Sequence, residues 1–427
     1  MTDWAGRRLH VMGIAGAGMS AYAIVCRALG AVVTGSDQAE SPYLARVREA
    51  GIEPAIGHDA SNLPEGDDVE VVVSTAIPEA NPELAAARAR GLPVLSRADL
   101  LTELTRLKRT IAVAGAHGKT TTSSMVAHAL LGCGLDPSYV IGGTLSTTGT
   151  NAAWGSGEWL VVEADESDRS FLALDVDVAV VTNIELDHHT EWSSLGELRA
   201  AFAQFLAGPA HAVLPPQLAV LRDGDRTEFG AWEGPDLAVS GEHNRRNAAA
   251  ALEAVVLAGA DRDEAAAQLA TFAGAGRRFQ VLGQTASGAY VVDDYAHHPT
   301  EVAATIEAAR EWARDASGGG RVVAVFQPHL YSRTQHLARE FGVALAAADL
   351  PGVVEVYPAR ERGEDFPGVT GRLIAEAAAD AGDGKPVLWL PDFDAAERAL
   401  RDELRDGDVL LVLGAGNVDE LGRRLLS

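Results

Sequence analysis

Three apolar runs in this chain end in glycine clusters, and they constrain the fold more than any other feature. The runs begin at Leu9, Thr110 and Val409, and each is rich in Val, Ile or Leu. An apolar strand that reaches glycine and then turns helical is the start of a βαβ unit. Strands covered on both faces read as continuous apolar runs, so the sheets should be mostly parallel.

The fold class predicted from this pattern is α/β with three domains. We expect a Rossmann-like N-terminal domain over residues 1–108, a central P-loop ATPase domain with a mostly parallel sheet over 109–270, and a Rossmann-like C-terminal domain over 271–427. The chain of 427 residues is longer than one hydrophobic core usually organises. The stretch from Gly208 to Pro216 is interpreted as an irregular connection.

Composition limits the partners. The formal net charge of -25 argues against a nucleic-acid surface, which needs clustered Lys and Arg. No stretch approaches the roughly 20 apolar residues of a membrane span, and nothing near Met1 resembles a secretory signal. Cys26 and Cys133 lie in apolar helix-like stretches, as buried thiols do. We therefore expect a cytoplasmic protein without membrane insertion.

The glycine loop after the second apolar run predicts a phosphate-binding site. A glycine at Val113 would complete the Walker A pattern, so the general expression fails, but Lys119 and three threonines still open a helix. Backbone amides can cradle a triphosphate, Lys119 can neutralise its β and γ oxygens, and Thr120 can offer a hydroxyl to magnesium. The only other lysines are Lys108 and Lys385, which disfavours a glycine turn with an incidental lysine. The loop residues assigned to ATP are Gly115, Ala116, His117, Gly118, Lys119, Thr120 and Thr121.

Polar groups follow two buried strands of the central domain. Glu163 ends the strand that begins at Trp159, where a carboxylate suits a magnesium ligand. His188 follows the strand from Val178 to Thr182 and could hold a metal, although a His pair beside an Asp is by itself more often structural. The acidic side chains that follow Glu163 are interpreted equally well as functional carboxylates or as a solvated acidic turn: Asp165, Glu166 and Asp168.

The N-terminal glycine loop has the spacing G-x-x-G-x-G, and the dinucleotide fingerprint G-x-G-x-x-G therefore fails. Its glycines still permit a tight turn and let an anion approach a helix N-terminus. Asp37 ends the next strand, where an acidic side chain can reach a ribose hydroxyl. By itself this loop is equally well a nucleotide site or only a turn.

In this order the segments resemble the Mur ligase family, and within it the alanine-adding branch. The resemblance covers nearly the whole chain. The matching strings are Gly13 to Ser20, Ser74-Thr75-Ala76, Gly115 to Thr122, Glu163 to Asp168, Asn183 to His188, Gly241 to Asn244 with Asn247, Arg277-Arg278-Phe279, Asp293 to Glu301, Phe326 to His329 with Tyr331 and Arg333, and Gly414 to Asn417.

The resemblance implies an ATP-dependent carboxylate–amine ligase of peptidoglycan precursor synthesis. Its partners would be UDP-N-acetylmuramate, L-alanine and ATP, with Mg²⁺. The lactyl carboxylate of the UDP-sugar would attack the γ-phosphate, and the amine of L-alanine would displace phosphate from the resulting acyl phosphate. The N-terminal domain would hold the UDP-sugar, the central domain ATP, and the C-terminal domain the amino acid.

Residue roles are also implied by the resemblance. The UDP-sugar side would comprise Gly16, Ala17, Gly18, Met19, Ser20, Asp37, Ser74 and Thr75. ATP would also be bound by Asn244, Asn247, Arg278 and Asp294. The amino-acid side would comprise His297, His298, Tyr331 and Arg333. The metal ligands would be Thr120, Glu163 and His188, and the catalytic groups Lys119, Glu163, His188, His298 and Arg333.

One feature favours the alanine-adding branch of the family, and another departs from the family pattern. Related ligases that add later residues bridge two metals with a carbamylated lysine, and this chain has no lysine between Lys119 and Lys385. The connection from His188 to Gly241 is shorter than the family leads us to expect, which indicates a trimmed central domain.

The alternative function is that of a paralogue that attaches a recycled murein peptide to the same UDP-sugar. We expect a monomer or weak dimer.

Overall fold

The computed structural model describes residues 4–74, 76–186, 191–316 and 318–426. Within these residues the strands form three sheets, of five, seven and six strands, with α-helices between most successive strands. Parallel pairs dominate all three sheets, so the predicted α/β class with mostly parallel sheets is confirmed. In the structure, as predicted, each of the three glycine clusters follows the end of a buried strand.

The N-terminal sheet is entirely parallel, in the order β3-β2-β1-β4-β5. Its strands are β1 (Arg8–Met12), β2 (Val32–Asp37), β3 (Ala55–Ile56), β4 (Val69–Val73) and β5 (Val94–Ser96). Its helices are α1 (Ala17–Ala28), α2 (Tyr43–Glu49), α3 (Pro82–Ala89) and α4 (Arg97–Thr105). Polar caps begin two of them: Asn81 accepts from the first amides of α3, and Ser96 forms a capping box with Asp99 at the start of α4.

The central sheet has the order β12-β11-β10-β6-β9-β7-β8. Its strands are β6 (Arg109–Ala114), β7 (Ser138–Leu145), β8 (Thr150–Ala153), β9 (Trp159–Ala164), β10 (Val178–Val181), β11 (His211–Leu214) and β12 (Arg226–Glu228). Its helices are α5 (Lys119–Gly132), α6 (Leu195–Ala207), α7 (Glu242–Leu257) and α8 (Arg262–Ala270). Among the described strands of this sheet, only the β7–β8 hairpin is antiparallel.

One interpretation of the connections was wrong. The stretch from Gly208 to Pro216 contains β11, which pairs in parallel with β10 through Val178 and His211. The run is only four residues long and is followed by two prolines, so its apolar content is too brief to stand out in the sequence.

The C-terminal sheet has the order β13-β14-β18-β15-β16-β17, parallel except for β13. Its strands are β13 (Gln280–Gln284), β14 (Tyr290–Asp294), β15 (Val322–Phe326), β16 (Leu350–Val354), β17 (Leu388–Leu390) and β18 (Val409–Leu413). Its helices are α9 (Pro299–Ala316), α10 (Tyr331–Leu345), α11 (Arg372–Ala381), α12 (Phe393–Glu403) and α13 (Asp419–Leu425). The third apolar run is the central strand β18, fully buried between β14 and β15.

The chain divides into two compact units. The first runs to Leu237 and includes Arg246–Ala273, and the second comprises Ala238–Arg245 and the chain from Gly274 onward. The N-terminal and central sheets therefore belong to one unit and the C-terminal sheet to the other. The domain boundaries predicted at 108 and 270 stay predictions. Among the helices of the described ranges, none combines the length and apolarity needed to cross a membrane.

Strand register places the polar segments within each sheet. Ala114 at the end of β6 is level with Ala164 of β9 and Val181 of β10, so the segments that follow these three strands meet at one edge. In the N-terminal sheet Met12 is likewise level with Ser36 and Val73. Ligands of parallel sheets bind outside the carboxyl ends of the strands.

Candidate active site

The N-terminal glycine loop is folded by its own backbone. Gly13 adopts a φ of +79°, and a Cβ there would lie 3.0 Å from the Cβ of Ser74. The carbonyl of Ser36 accepts hydrogen bonds from the amides of Gly13 (2.8 Å) and Ile14 (3.1 Å). Helix α1 then starts at Gly16 without a side-chain cap, so its first amides are available to an anion.

The predicted acidic and hydroxyl groups surround this loop. One carboxylate oxygen of Asp37 accepts from the amide of Ala15 at 2.8 Å, so Asp37 shapes the turn as well as lying at its edge. Ser74 accepts from the amide of Ala76. Thr75, predicted beside them, lies outside the described residues. Met19 and Ser20 are buried in the first turns of α1.

The central glycine loop has the strained backbone of a phosphate loop. Gly115 has a φ of +136°, and a Cβ there would lie 2.2 Å from Oγ1 of Thr182. Gly118 has a φ of +80° and a Cβ there would meet Oδ1 of Asn247 at 2.6 Å. Helix α5 begins at Lys119 with no side-chain cap, as the amide cradle of a phosphate requires.

Lys119 forms a buried ion pair in this loop. Its Nζ donates to the carbonyl of Gly115 at 2.7 Å and to Oε2 of Glu166 at 2.9 Å. Burial alone would lower the pKa of Lys119, but Glu166 and Asp165 outweigh it and hold the pKa above its usual value. The lysine is therefore a fixed cation at the helix N-terminus.

Glu166 is buried, with 3% of its side chain exposed, so the interpretation of this residue as part of a solvated turn was wrong. Its backbone carbonyl also accepts from the indole of Trp192. Asp165 and Asp168 keep about a third of their surface exposed. Burial would raise the pKa of Asp165, but Lys119 and the Ser167 amide lower it to about 2.

Glu163 accepts hydrogen bonds from three groups that lie 21 to 43 residues before it in the sequence. Its Oε2 accepts from the hydroxyl of Thr120 at 3.0 Å, and its Oε1 from the hydroxyl of Ser123 at 3.2 Å and the amide of Gly142 at 2.5 Å. A carboxylate and a hydroxyl in contact are the oxygen ligands that Mg²⁺ prefers. Thr120 and Glu163 therefore fit the predicted metal site.

Sequence reasoning missed Ser123 and Gly142. Ser123 lies three residues after Thr120 on α5, a spacing that puts both side chains on one helix face and could have indicated it. Gly142 lies in the β7–β8 hairpin, and a Cβ there would lie 3.0 Å from Thr120 Oγ1 and both Glu163 oxygens. No local sequence signal identifies that approach.

The loop after β10 supports the phosphate loop. Asn183 accepts from the amide of His117 at 3.0 Å and donates to its carbonyl at 2.8 Å. The ring Nε2 of His117 lies 3.1 Å from Oε2 of Glu185. His188, predicted as a second metal ligand and catalytic group, lies outside the described residues.

In the second unit, two aspartates end β14. Asp294 accepts from the amides of Phe279 (2.7 Å) and Ala296 (2.8 Å), and burial raises its pKa. Asp293 pairs with Arg277 at 3.1 Å, yet burial still raises its pKa to about 6. The site residue Asp294 is thus tied into the backbone at the sheet edge.

Of the other predicted groups of this unit, Arg278 lies just before β13, and those of the amino-acid side lie on the segments after β14 and β15. Arg278 lies over the ring of Tyr295 and 3.8 Å from Glu301, whose carboxylate also accepts from the amide of His297. His298 and Arg333 are largely buried. Tyr331 stacks on Phe366 with ring centroids 6.0 Å apart, at the start of α10.

The two predicted adenine ligands lie three residues apart on α7. In the second unit, Asn244 donates to the carbonyl of Ser240 at 2.7 Å. In the first unit, Asn247 packs against Gly118 of the phosphate loop. Both are largely buried.

Three family models match successive parts of the chain. They are described as the Mur ligase family catalytic domain (residues 8–109), the Mur ligase middle domain (113–226) and the Mur ligase glutamate ligase domain (277–416). A curated relative from Mycobacterium sp. (strain JLS) is 44% identical over 99% of this chain and 95% of its own. The chain belongs to the Mur ligase family and is an ATP-dependent ligase that forms amide bonds.

The relatives are named more specifically. The Mycobacterium protein is a UDP-N-acetylmuramate--L-alanine ligase, as is a Rubrobacter xylanophilus protein that is 43% identical over 98% of this chain and 99% of its own. A crystal structure of UDP-N-acetylmuramate-alanine ligase from Thermotoga maritima superposes with a TM-score of 0.81 at 28% identity, covering 98% of each chain. A murein peptide ligase from Psychrobacter arcticus has the same fold, with a TM-score of 0.73 at 24% identity and 99% and 98% coverage.

Proposed function

We propose that this chain joins L-alanine to UDP-N-acetylmuramate with hydrolysis of ATP to ADP and phosphate. The observation that carries this proposal is the similarity, over almost the full length, to enzymes with that name. The phosphate loop with its paired Lys119 supports it, because the reaction needs a cation beside the γ-phosphate.

The reaction has two steps. A carboxylate oxygen of the UDP-sugar attacks the γ-phosphorus, a P–O bond forms, and the bond to the β-phosphate oxygen breaks with its electrons leaving on ADP. The amine of L-alanine then attacks the acyl carbon and loses a proton, and phosphate leaves. Product release frees UDP-N-acetylmuramoyl-L-alanine for peptidoglycan precursor synthesis.

The chain's own residues lower the repulsion between the two anions of the first step. The amides of Gly115 to Thr121 cradle the triphosphate, and Lys119 moves from Glu166 to the β and γ oxygens. Thr120 and Glu163 would hold Mg²⁺, which would screen the phosphate charge. His188 is proposed as a further ligand.

The remaining roles follow the family resemblance. We place the UDP-sugar at the N-terminal loop, on Gly16 to Ser20 with Asp37, Ser74 and Thr75, because the uncapped start of α1 offers amides to a diphosphate. We assign Asn244, Asn247, Arg278 and Asp294 to ATP. We assign His297, His298, Tyr331 and Arg333 to L-alanine, since a guanidinium suits its carboxylate.

We also propose a cytoplasmic location and a monomer or weak dimer. ATP as a substrate and two free cysteines, Cys26 and Cys133, agree with a reducing compartment.

The test is phosphate release from ATP in the presence of UDP-N-acetylmuramate and Mg²⁺, with L-alanine, glycine, L-serine or the murein tripeptide as acceptor. We expect release with L-alanine, weaker release with glycine and serine, and none from Lys119→Ala. Release with the tripeptide alone would instead favour the recycling ligase. Silence with every acceptor from folded protein would contradict the ligase function.

A further inference from the structure

Arg97 occupies the space between the two glycine loops of the first unit. It is the first residue of α4, and its Nη1 lies 3.9 Å from the position that a Cβ of Gly18 would take. On its other side, Nη2 lies 3.5 Å from Asp165 and 3.6 Å from Asp168, in the turn that also carries Glu166. One guanidinium thus adjoins both the N-terminal loop and the acidic turn beside Lys119.

Helix stability does not explain a cation at this position. The N-terminal end of a helix carries a partial positive charge, so an arginine in the first turn of α4 is disfavoured. The cap of this helix is already supplied by Ser96 and Asp99. An arginine placed against that preference suggests a role outside the helix.

The ion pairs with Asp165 and Asp168 do not engage all the N–H donors of the Arg97 guanidinium. Within the described residues, both ion pairs of Arg97 use Nη2 and are longer than the 2.7–2.9 Å typical of charge-assisted hydrogen bonds. About a third of the side chain, 35%, remains exposed. Neither ion pair uses Nη1, which lies on the side of Gly18, so its N–H donors can bind an oxygen of an anion placed there.

The packing of the N-terminal and central sheets brings the Arg97 guanidinium close to the predicted ATP site. The amide side chain of Asn151, in the β7–β8 hairpin, donates to the carbonyl of Ala17 at 2.7 Å. The same hairpin carries Gly142, whose amide donates to Glu163. A ligand lying on the start of α1 therefore extends past Gly18 toward Arg97 before it reaches Glu163 and Lys119.

We propose that Arg97 binds the lactyl carboxylate of UDP-N-acetylmuramate and positions it for attack on the γ-phosphate. The inference rests on the proposed function and adds a residue that reads the reacting group of the substrate. Asp165 and Asp168 orient the guanidinium from behind. The diphosphate, by contrast, is left to the amides of α1.

The test compares two ligands that differ in that carboxylate. UDP-N-acetylglucosamine has the same nucleotide, diphosphate and amino sugar but lacks the lactyl group. We expect Arg97→Met to raise the Kd of UDP-N-acetylmuramate about 10- to 100-fold, as for a lost charge-assisted pair. The Kd of UDP-N-acetylglucosamine, measured by calorimetry or competition, should stay within about twofold, and Arg97→Lys should lie between.

Controls separate binding from folding. Arg88→Met removes an exposed arginine of the neighbouring helix α3 and should leave both Kd values unchanged. Asp168→Asn removes one ion pair of Arg97 but keeps the guanidinium, so it should raise the Kd of UDP-N-acetylmuramate much less than Arg97→Met does. The Kd of ATP and the melting temperature report on the fold of each variant.

Three outcomes overturn the inference. Equal weakening of both ligands by Arg97→Met would assign the arginine to the diphosphate or to the fold. Unchanged binding of both would remove it from the site. Weakening by Asp168→Asn as large as that by Arg97→Met would make the ion pair only a structural link. Failure of the unmodified enzyme to turn over UDP-N-acetylmuramate with L-alanine would instead contradict the proposed function, and the inference with it.

Discussion

The two glycine loops of the first unit start from the same geometry and end with different chemistry. Each follows a buried parallel strand, contains glycines that close packing requires and opens an uncapped helix. The N-terminal loop contains no charged side chain of its own between Gly13 and Ser20. The central loop carries Lys119 and Thr120, which contact Glu166 and Glu163.

The difference reflects what each loop is proposed to bind. A diphosphate that is only held needs amides in a fixed position, which a backbone provides. A triphosphate that reacts changes its charge distribution, and the groups that stabilise the transition state must be cations and metal ligands. The residues around each loop agree with this difference. Ser36 and Asp37 organise the first loop, whereas the carboxylates of Glu163 and Glu166 organise the second.

Lys119→Met should give the largest effect, because it removes the cation of the central loop. We expect phosphate release to fall by about 10²–10³-fold, as for a lost transition-state donor. The Kd of UDP-N-acetylmuramate, measured by calorimetry, should change by less than about twofold if the loops act separately. Since Glu166 would be left buried without its cation, Lys119→Met with Glu166→Gln should recover stability but not activity. An equal loss of UDP-sugar binding would break the comparison.

Glu163→Gln should give the next largest effect. The amide keeps the shape but removes the negative charge beside Thr120, so the Mg²⁺ concentration for half-maximal phosphate release should rise about 10- to 100-fold. Glu158→Gln, an exposed position just before the same strand, is the matched control. An unchanged Mg²⁺ titration would show that Glu163 is only a structural acceptor for Thr120 and Ser123.

Gly115→Ala and Gly16→Ala compare the loops through stability. Gly115 combines a φ of +136° with a Cβ position 2.2 Å from Thr182 Oγ1, whereas at Gly16 the nearest atom is 3.4 Å away. The first substitution should lower the free energy of unfolding by about 1–3 kcal/mol or more, and the second by less than about 0.5 kcal/mol. Urea unfolding measures both. Equal costs would mean that the central loop is no more constrained than the N-terminal one.

The sequence allowed the framework of both loops to be predicted, because buried parallel strands are continuous apolar runs and their ends coincide with glycines. It could not reveal the β7–β8 hairpin, whose strands contain glycine, threonine and asparagine, or the four-residue β11. Both are set by pairing with distant strands, which local composition does not encode.

Candidate site residues were found where strand, glycine and polar group are adjacent in sequence. Glu166 was left open between a functional carboxylate and a solvated turn, and Arg97 was not identified, because the roles of both depend on tertiary contacts. Glu166 lies among acidic neighbours and differs from Asp165 and Asp168 only in being buried against Lys119. Arg97 resembles any helix-surface arginine until Gly18 is placed beside it.

The smallest expected effect concerns the carboxylate of Glu83, which supports the N-terminal loop indirectly, through Ser36. Glu83 is fully buried and accepts from His10, Asn62 and the hydroxyl of Ser36, whose carbonyl holds the amide of Gly13. Burial would raise the pKa of Glu83, but these hydrogen bonds together lower it to about 2.

Glu83→Gln should therefore lower the free energy of unfolding by about 1–3 kcal/mol at neutral pH. A depressed carboxyl pKa stabilises the fold above the unfolded value of 4.5, and this stabilisation is lost as pH falls toward 2. The difference in unfolding free energy from the unmodified protein should thus be constant above about pH 5 and narrow below it. Glu79→Gln, which changes an exposed glutamate in the turn before α3, is the control. If Glu83 supports the N-terminal loop alone, the variant should raise the Kd of UDP-N-acetylmuramate a few-fold and leave the Kd of ATP unchanged. An equal rise in both Kd values would show that the two loops share one support.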